Sequence, residues 1–275
     1  MRLRIATCTT LPEVDVDEAP LAAALARGGF DAQLVAWDDP SADWDAPIPT
    51  IIRSTWNYSL DVDGFAAWID RAAAAAPLLN PRAVVRDNLF KRYLLALEAR
   101  GVPIVPTTLV ERGATHDLPS IDAARIVIKP EVGAGSLGAR VFAPSDPAAL
   151  AHLASLTARG AALVQPYLDS VDSYGERSLV WIDGELSHAI RKTPRFSGDT
   201  ERVDGPFVIA DDERTVALAA LAPCGDLLYG RVDLARDAGG QPRVMELEVV
   251  EPSLFFARQP GSADRFVAGL RRRLA

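Results

Sequence analysis

Apolar and polar residues alternate most regularly between Tyr229 and Phe256, and the alternation predicts two strands joined by a tight turn. Leu227-Leu228-Tyr229, Arg231 and Asp233 make the first strand. Asp237, Gly239 and Gly240 supply the turn, because Gly, Asn and Asp enter positive φ at little cost. Arg243 to Val250 makes the second strand. Side chains alternate along a strand, so Val244, Glu246, Glu248 and Val250 share one face there. Met245, Leu247 and Val249 share the other, which suits a core.

The same patterning divides the rest of the chain. Leu3–Thr7, Asp31–Trp37 and Ile48–Arg53 read as short buried strands, and helices follow the first and third, ending at Arg27 and spanning Asp63–Ala76. This order predicts a small, open, mainly parallel sheet, in which ligands bind beyond the carboxyl ends of the strands. Thr9, Thr10, Arg53, Trp56 and Tyr58 stand at such ends. Asn80-Pro81 breaks the chain, so residues 1–80 are expected to form one α/β domain, 81–168 a second lobe and 169–275 a third. Further on, a helix is predicted over Asn88–Arg100 with Lys91 near its start, then a strand over Ile126–Pro130, a helix over Asp146–Arg159 and a strand over Ala162–Leu168. Ser178–Asp183 and Glu185–Lys192 read as a hairpin, with Arg191, Lys192 and Arg195 at its end. Thr193–Ala210 lacks periodicity and reads as a lid loop. Helices over Asp211–Leu221 and Ala263–Leu274 complete the pattern.

Composition narrows the class. The 275 residues are 49% hydrophobic, which excludes disorder, and no run approaches the roughly 18 to 20 apolar residues of a membrane span. The start reads as a strand rather than a signal peptide, and Cys8 and Cys224 read as buried thiols of a cytoplasmic protein. A net charge of −8 argues against general nucleic-acid binding, so cations for an anionic ligand must be concentrated in one site.

The candidate chemistry lies in the C-terminal hairpin. Glu246 and Glu248 point the same way, and Asp233 on the partner strand can complete a three-carboxylate cluster. Such acids repel unless a cation sits among them, and without His or Cys they suit magnesium, which favours sites shared with phosphate. Arg231, on the face of Asp233, could balance a phosphoryl group or an oxyanion. A surface hairpin with solvated acids is the competing reading. Upstream, Lys129 closes a strand just before a turn holding Gly133, Gly135, Ser136 and Gly138, whose backbone N–H groups could wrap a phosphate. This is neither a P-loop nor a Rossmann turn, because the lysine precedes the glycines. Arg53 has two readings, a fork onto a substrate carboxylate or a salt bridge beside a core Trp56. His116, His152 and His188 read as structural or surface residues.

A helix-borne lysine, a strand-Lys-Pro with a Gly-rich loop, Gln165-Pro166-Tyr167, Arg231-Val232-Asp233 and Glu246-Leu247-Glu248 occur in an order that resembles the ATP-grasp ligases, such as glutathione synthetase, D-alanine–D-alanine ligase and biotin carboxylase. The likeness runs from about Asp87 to the end, and Met1–Asn80 looks like the domain that precedes it in those enzymes. The resemblance implies ATP held between two α+β lobes. It implies Lys91, Lys129 and the Gly133–Gly138 loop on the phosphates, Gln165, Tyr167 and Leu168 at the adenine, and Asp172 at the ribose. Lys192 would be a further phosphate lysine, Asp233, Glu246 and Glu248 would hold Mg2+, and Arg231 would face the tetrahedral intermediate. Arg231 and Lys192 would be the catalytic pair.

The family usually ends this motif Glu-x-Asn, and the extra charge of Glu248 leaves metal stoichiometry open. Arg53–Tyr58, Gly175–Ser178 and the stretch from Met245 to Phe256 look like the subgroup containing the D-cycloserine-forming ligase. The implied activity is ADP-forming carbon–nitrogen ligation. A carboxylate attacks the γ-phosphorus of ATP, and an amine then displaces phosphate, giving a peptide bond or a ring. Arg53, Trp56, Tyr58 and Ser253 would meet an amino-acid-like small molecule, with no nucleic-acid or membrane partner and a homodimer left open. A phosphotransferase and a nucleotide-binding regulatory protein are the alternatives.

Overall fold

The computed structural model describes residues 1–114, 117–135, 137–193 and 202–275. Three sheets organise them. The first is the expected parallel sheet: β1 (Arg2–Thr7), α1 (Glu18–Arg27), β2 (Asp31–Ala36), β3 (Thr50–Ser54), α2 (Val62–Ala75) and β4 (Leu78–Leu79) give the strand order β2-β1-β3-β4. Asp61 caps α2 by accepting the Gly64 N–H at 2.9 Å. Trp37, Trp44, Tyr58, Phe65 and Trp68 fill one face of this sheet with packed rings.

Two short helices follow, α3 (Arg82–Asn88) and α4 (Tyr93–Ala99). Next come β5 (Thr108–Val110), β6 (Ile126–Pro130), β7 (Arg140–Phe142), α5 (Pro147–Thr157) and β8 (Ala162–Pro166), which form an antiparallel sheet ordered β5-β8-β6-β7 with α5 against it. The third sheet takes β9 (Glu176–Ile182), β10 (Glu185–Thr193), β11 (Arg202–Phe207), β12 (Tyr229–Arg236) and β13 (Pro242–Glu248) in the order β11-β10-β9-β12-β13. α6 (Asp211–Leu221) and α4 cover one face of it, and α7 (Ser262–Leu274) packs with α1 on the other side. Among the described residues no helix is long and apolar enough to cross a membrane.

The structure corrects three expectations. The helix expected over Asn88–Arg100 is interrupted at residues 89–92, between Asn88 at the end of α3 and Tyr93 at the start of α4, whose side chains both satisfy the edge of β13. Asn88 donates to Leu247 O at 2.8 Å and accepts the Val249 N–H at 3.0 Å, while the Tyr93 hydroxyl accepts the Leu247 N–H at 3.0 Å. The lid expected over Thr193–Ala210 is in part a strand, since β11 pairs antiparallel with β10; Arg195 lies outside the described residues. In the hairpin, Asp233 pairs with Glu246 but Leu234 pairs with Val244, so Met245 is a bulge. The extra residue reverses the alternation, and Val244 joins the core beside Leu247 and Val249.

Asp17 and Arg53 join the domains. Both are almost wholly buried, and the Arg53 guanidinium reaches the Asp17 carboxylate at 3.1 Å. The same carboxylate accepts the N–H groups of Leu254, Phe255 and Phe256, fixing a loop in which Phe255 holds φ +51°. Asn80 adds a second tie, donating to Tyr229 O and Val249 O at 2.8 Å and accepting the Leu228 N–H at 2.8 Å. Asp17→Ala leaves Arg53 as an uncompensated buried charge. It is expected to lower stability by roughly 3–5 kcal/mol in urea unfolding. A change within 0.5 kcal/mol, in the range of surface substitutions, would show that the pair holds nothing in place.

Candidate active site

The three sheets leave between them a cleft of about 750 Å³. The β5–β8 sheet contributes Lys129 at the end of β6, then Gly133 and Gly135, and Gln165 to Leu168 after β8. The β9–β13 sheet contributes Glu176, Lys192, Arg231, Asp233, Glu246 and Glu248, and the N-terminal domain adds Trp56 and Tyr58. Lys91 enters from the break between α3 and α4. Its N–H donates to Glu131 O at 3.1 Å and its ammonium to Gly133 O at 2.7 Å, so it is tied to the glycine loop itself.

Charge alternates across the floor. Lys129 Nζ lies 2.8 Å from Glu246 Oε1, and Lys91 Nζ lies 3.8 Å from its other oxygen. Lys192 Nζ bridges Glu176 at 2.6 Å and Asp233 at 2.9 Å. Arg231 forks onto Asp233 at 2.8 and 2.9 Å, reaches Glu248 at 2.6 Å and donates to Ser253 O at 3.0 Å. The register produces this row, since Arg231 faces Glu248 and Asp233 faces Glu246 across β12 and β13. Burial opposes ionisation of Asp233, but Arg231 and Lys192 outweigh it and hold the carboxyl far below its usual range. Burial likewise opposes the charge on Glu246, which Lys129 and Lys91 bring down to about 2. At Glu248 and Glu176 burial wins over the neighbouring cations. It raises Glu248 above its ordinary value and Glu176 to about 7.

The three acids do not form the expected metal cluster. Among the described residues no three His, Cys, Asp or Glu side chains converge closely enough to hold an ion, because each carboxylate of the row is turned onto a lysine or arginine. The donor chemistry still fits a hard cation: the cleft lining has carboxylates and neither His nor Cys among the described residues. Accessibility separates them. Glu246 and Glu248 keep side-chain exposures of 25% and 30%, whereas Asp233 has 2%.

Three further expectations end differently, and a fourth falls outside the described residues. Arg53 does not line the cleft, because its guanidinium is committed to Asp17 and stacked on Tyr229 and Phe256. Asp172 is also off the wall, held at the surface by Arg125 at 2.8 Å and by the Tyr167 hydroxyl. Gly138 turns at φ +78° against the Pro130 ring behind the loop, and Ser136 lies outside the described residues. Trp56, Tyr58 and Ser253 line the cleft. The sequence reading missed Glu176 and Glu251, which also line it, and Met245, which the bulge places there.

A lysine-bearing strand with its glycine loop, opposed across a cleft by a sheet carrying an arginine and a carboxylate row, defines the ATP-grasp fold. The D-alanine–D-alanine ligase of Bacillus anthracis shares it at a TM-score of 0.72 over 100% of this chain and 99% of that one, with 14% identity. The family described as D-cycloserine synthetase DcsG, N-terminal domain, matches residues 3–80. The cycloserine biosynthesis protein DcsG of Streptomyces lavendulae is 35% identical over 98% of this chain and 97% of its own length. The crystal structure of D-cycloserine synthetase DcsG superposes with a TM-score of 0.89, at 33% identity and full coverage of both chains. The chain belongs to the DcsG family of ATP-grasp ligases.

The Glu176 carboxyl sets a pH dependence. A carboxyl near 7 in the fold and near 4.5 when unfolded binds more protons in the native state between those values. Its contribution is complete below about pH 4.5 and is lost as pH rises towards about 7. Glu176→Gln removes that loss, so the variant should gain on the wild type across this window by on the order of 1–3 kcal/mol in chemical unfolding. A constant difference between the two proteins would contradict it.

Proposed function

We propose that this protein is an ATP-dependent ligase that activates the carboxylate of an amino-acid-like substrate as an acyl phosphate and joins it to an amine, in the manner of cycloserine ring closure. The observation that carries this is the convergence of Lys91, Lys129, Lys192 and Arg231 on one row of carboxylates in one cleft. The name of the DcsG relative supports the ring-forming version.

Each cation is held against an acid until phosphate arrives to compete for it. Lys129 and Lys91, beside the glycine loop, take the nucleotide phosphates, and Gln165, Tyr167 and Leu168 lie on the wall that would take the adenine. Glu246 and Glu248, with oxygens facing the cleft, would hold magnesium, and Asp233 would join them only when Lys192 turns towards phosphate. The ion would neutralise charge on the transferred phosphoryl group. The substrate carboxylate attacks the γ-phosphorus, the C–O–P linkage forms, and ADP leaves. The amine then attacks the acyl carbon and inorganic phosphate departs. Arg231, fixed between Asp233 and Ser253 O, faces the oxyanion of that step. Trp56, Tyr58 and Ser253 shape the substrate end. A cytoplasmic setting, where ATP is supplied, suits this reading.

The test is turnover against a panel of amino acids and their derivatives, with ADP quantified and products weighed. One ADP per new amide or ring supports ligation, whereas ADP with a phosphorylated product only would convert the reading to a phosphotransferase. Arg231→Met separates the steps further. It should bind ADP nearly as the wild type does and ligate about 100- to 1000-fold more slowly, the usual effect of losing an oxyanion donor. Ligation at the wild-type rate would place the oxyanion site elsewhere.

A further inference from the structure

Beside the ion-pair row, the cleft carries a carboxyl group close to the oxyanion arginine, that of Glu251. Asp233, Glu246, Glu248 and Glu176 each hold a lysine or arginine. Glu251 lines the same cleft, half-buried, on the loop after β13. Among the described residues it forms no ion pair within 4 Å; its own backbone N–H bonds its carboxyl, and Lys91 and Arg231 act on it only from farther off. Its main chain is fixed on both sides. Trp56 Nε1 donates to Glu251 O at 3.2 Å, and Arg231 donates to Ser253 O two residues on. Glu251 therefore stands at a set position between the aromatic wall of the N-terminal domain and the oxyanion arginine.

An enclosed carboxyl without a cation is costly unless a ligand brings one. Burial, and then the charge of Glu248, pushes this group up to about 8 against the weaker pull of Lys91 and Arg231. Trp56, Tyr58 and Phe255 line the same end of the cleft, and aromatic faces favour a cation beside a carboxylate. The neighbouring cations are taken by the other acids, so the charge that completes this end has to come from the substrate.

We infer that Glu251 is the recognition residue for the ammonium group of the amino-acid substrate, accepting its N–H bonds against the wall formed by Trp56, Tyr58 and Phe255. This rests on the reading of the protein as a ligase of amino-acid-like molecules. It assigns one end of the substrate: the ammonium lies at Glu251, and the reacting carboxylate points towards Arg231 and the phosphate cations. An amino-acid derivative would then be selected by its free amino group as well as by its carboxylate.

The test is calorimetric binding to the wild-type protein and to Glu251→Gln, with ADP and magnesium present, using two probes. One is D-cycloserine, which carries a primary amine; the other is isoxazolidin-3-one, the same ring without it. Glu251→Gln should weaken D-cycloserine roughly 10- to 100-fold, the usual range for losing a charge-assisted hydrogen bond. It should leave the amine-free ring and ADP itself unchanged. Equal weakening of both rings would make Glu251 a shape-determining residue and overturn the assignment. Weakened magnesium–ADP binding in the variant would make the carboxyl a metal ligand and overturn it as well. If the wild type does not favour the aminated ring, the amino-acid reading of the protein falls and the ammonium subsite falls with it.

Discussion

A buried carboxylate has to be paired, and the pairing of Asp233 organises this molecule. At 2% side-chain exposure it would be untenable alone, and it holds both Arg231 and Lys192. That demand aligns β12 with β13, so that Glu248 shares a guanidinium nitrogen with Asp233, and it draws Lys192 from β10 across β9. Glu246, directly opposite Asp233 on β13, receives Lys129 from the facing sheet. The two sheets are thus linked through the Lys129–Glu246 ion pair, whose lysine is proposed to take nucleotide phosphate. In the proposed function, phosphate binding would open these ion pairs.

The N-terminal domain acts on the cleft from behind. Asp17 gathers three backbone N–H groups of the loop after β13, and Arg53 neutralises it. The buried Tyr229 hydroxyl sits among the carbonyls of Ile52, Leu79 and Val250, where both domains meet. The loop that carries Glu251, Ser253 and Phe255 is therefore anchored in part by Asp17 and Arg53, which lie outside the cleft lining. The aromatic layer of Trp37, Trp44, Phe65 and Trp68 supports the sheet that presents Trp56.

Much of this was legible from residue patterning. Alternation located the hairpin, Asp237-Gly239-Gly240 its turn, and the strand before the glycines placed Lys129. Three features were not legible, each for a physical reason. The bulge at Met245 changes the parity of a strand without changing its composition, so Val244 reads as a cleft residue although it is core. The break at Lys91 is flanked by hydrogen bonds to a strand about 155 residues away, and local helical periodicity carries no trace of such a tie. Arg53 reads equally as ligand or salt bridge until its partner is known, and Asp17 is 36 residues distant. Glu251 lay within the Met245–Phe256 stretch without a role, because its lack of an ion-pair partner among the described residues shows only in the folded arrangement.

The central claim is that these cations serve the transfer of a phosphoryl group to a carboxylate and the release of that phosphate to an amine. The most direct measurement is oxygen transfer. With a turning-over substrate labelled with ¹⁸O in its carboxylate, the account predicts one labelled oxygen in each inorganic phosphate released, detected by mass spectrometry or by the ³¹P shift. Unlabelled phosphate accompanying product formation would contradict it, because the carboxylate would then never have been joined to phosphorus.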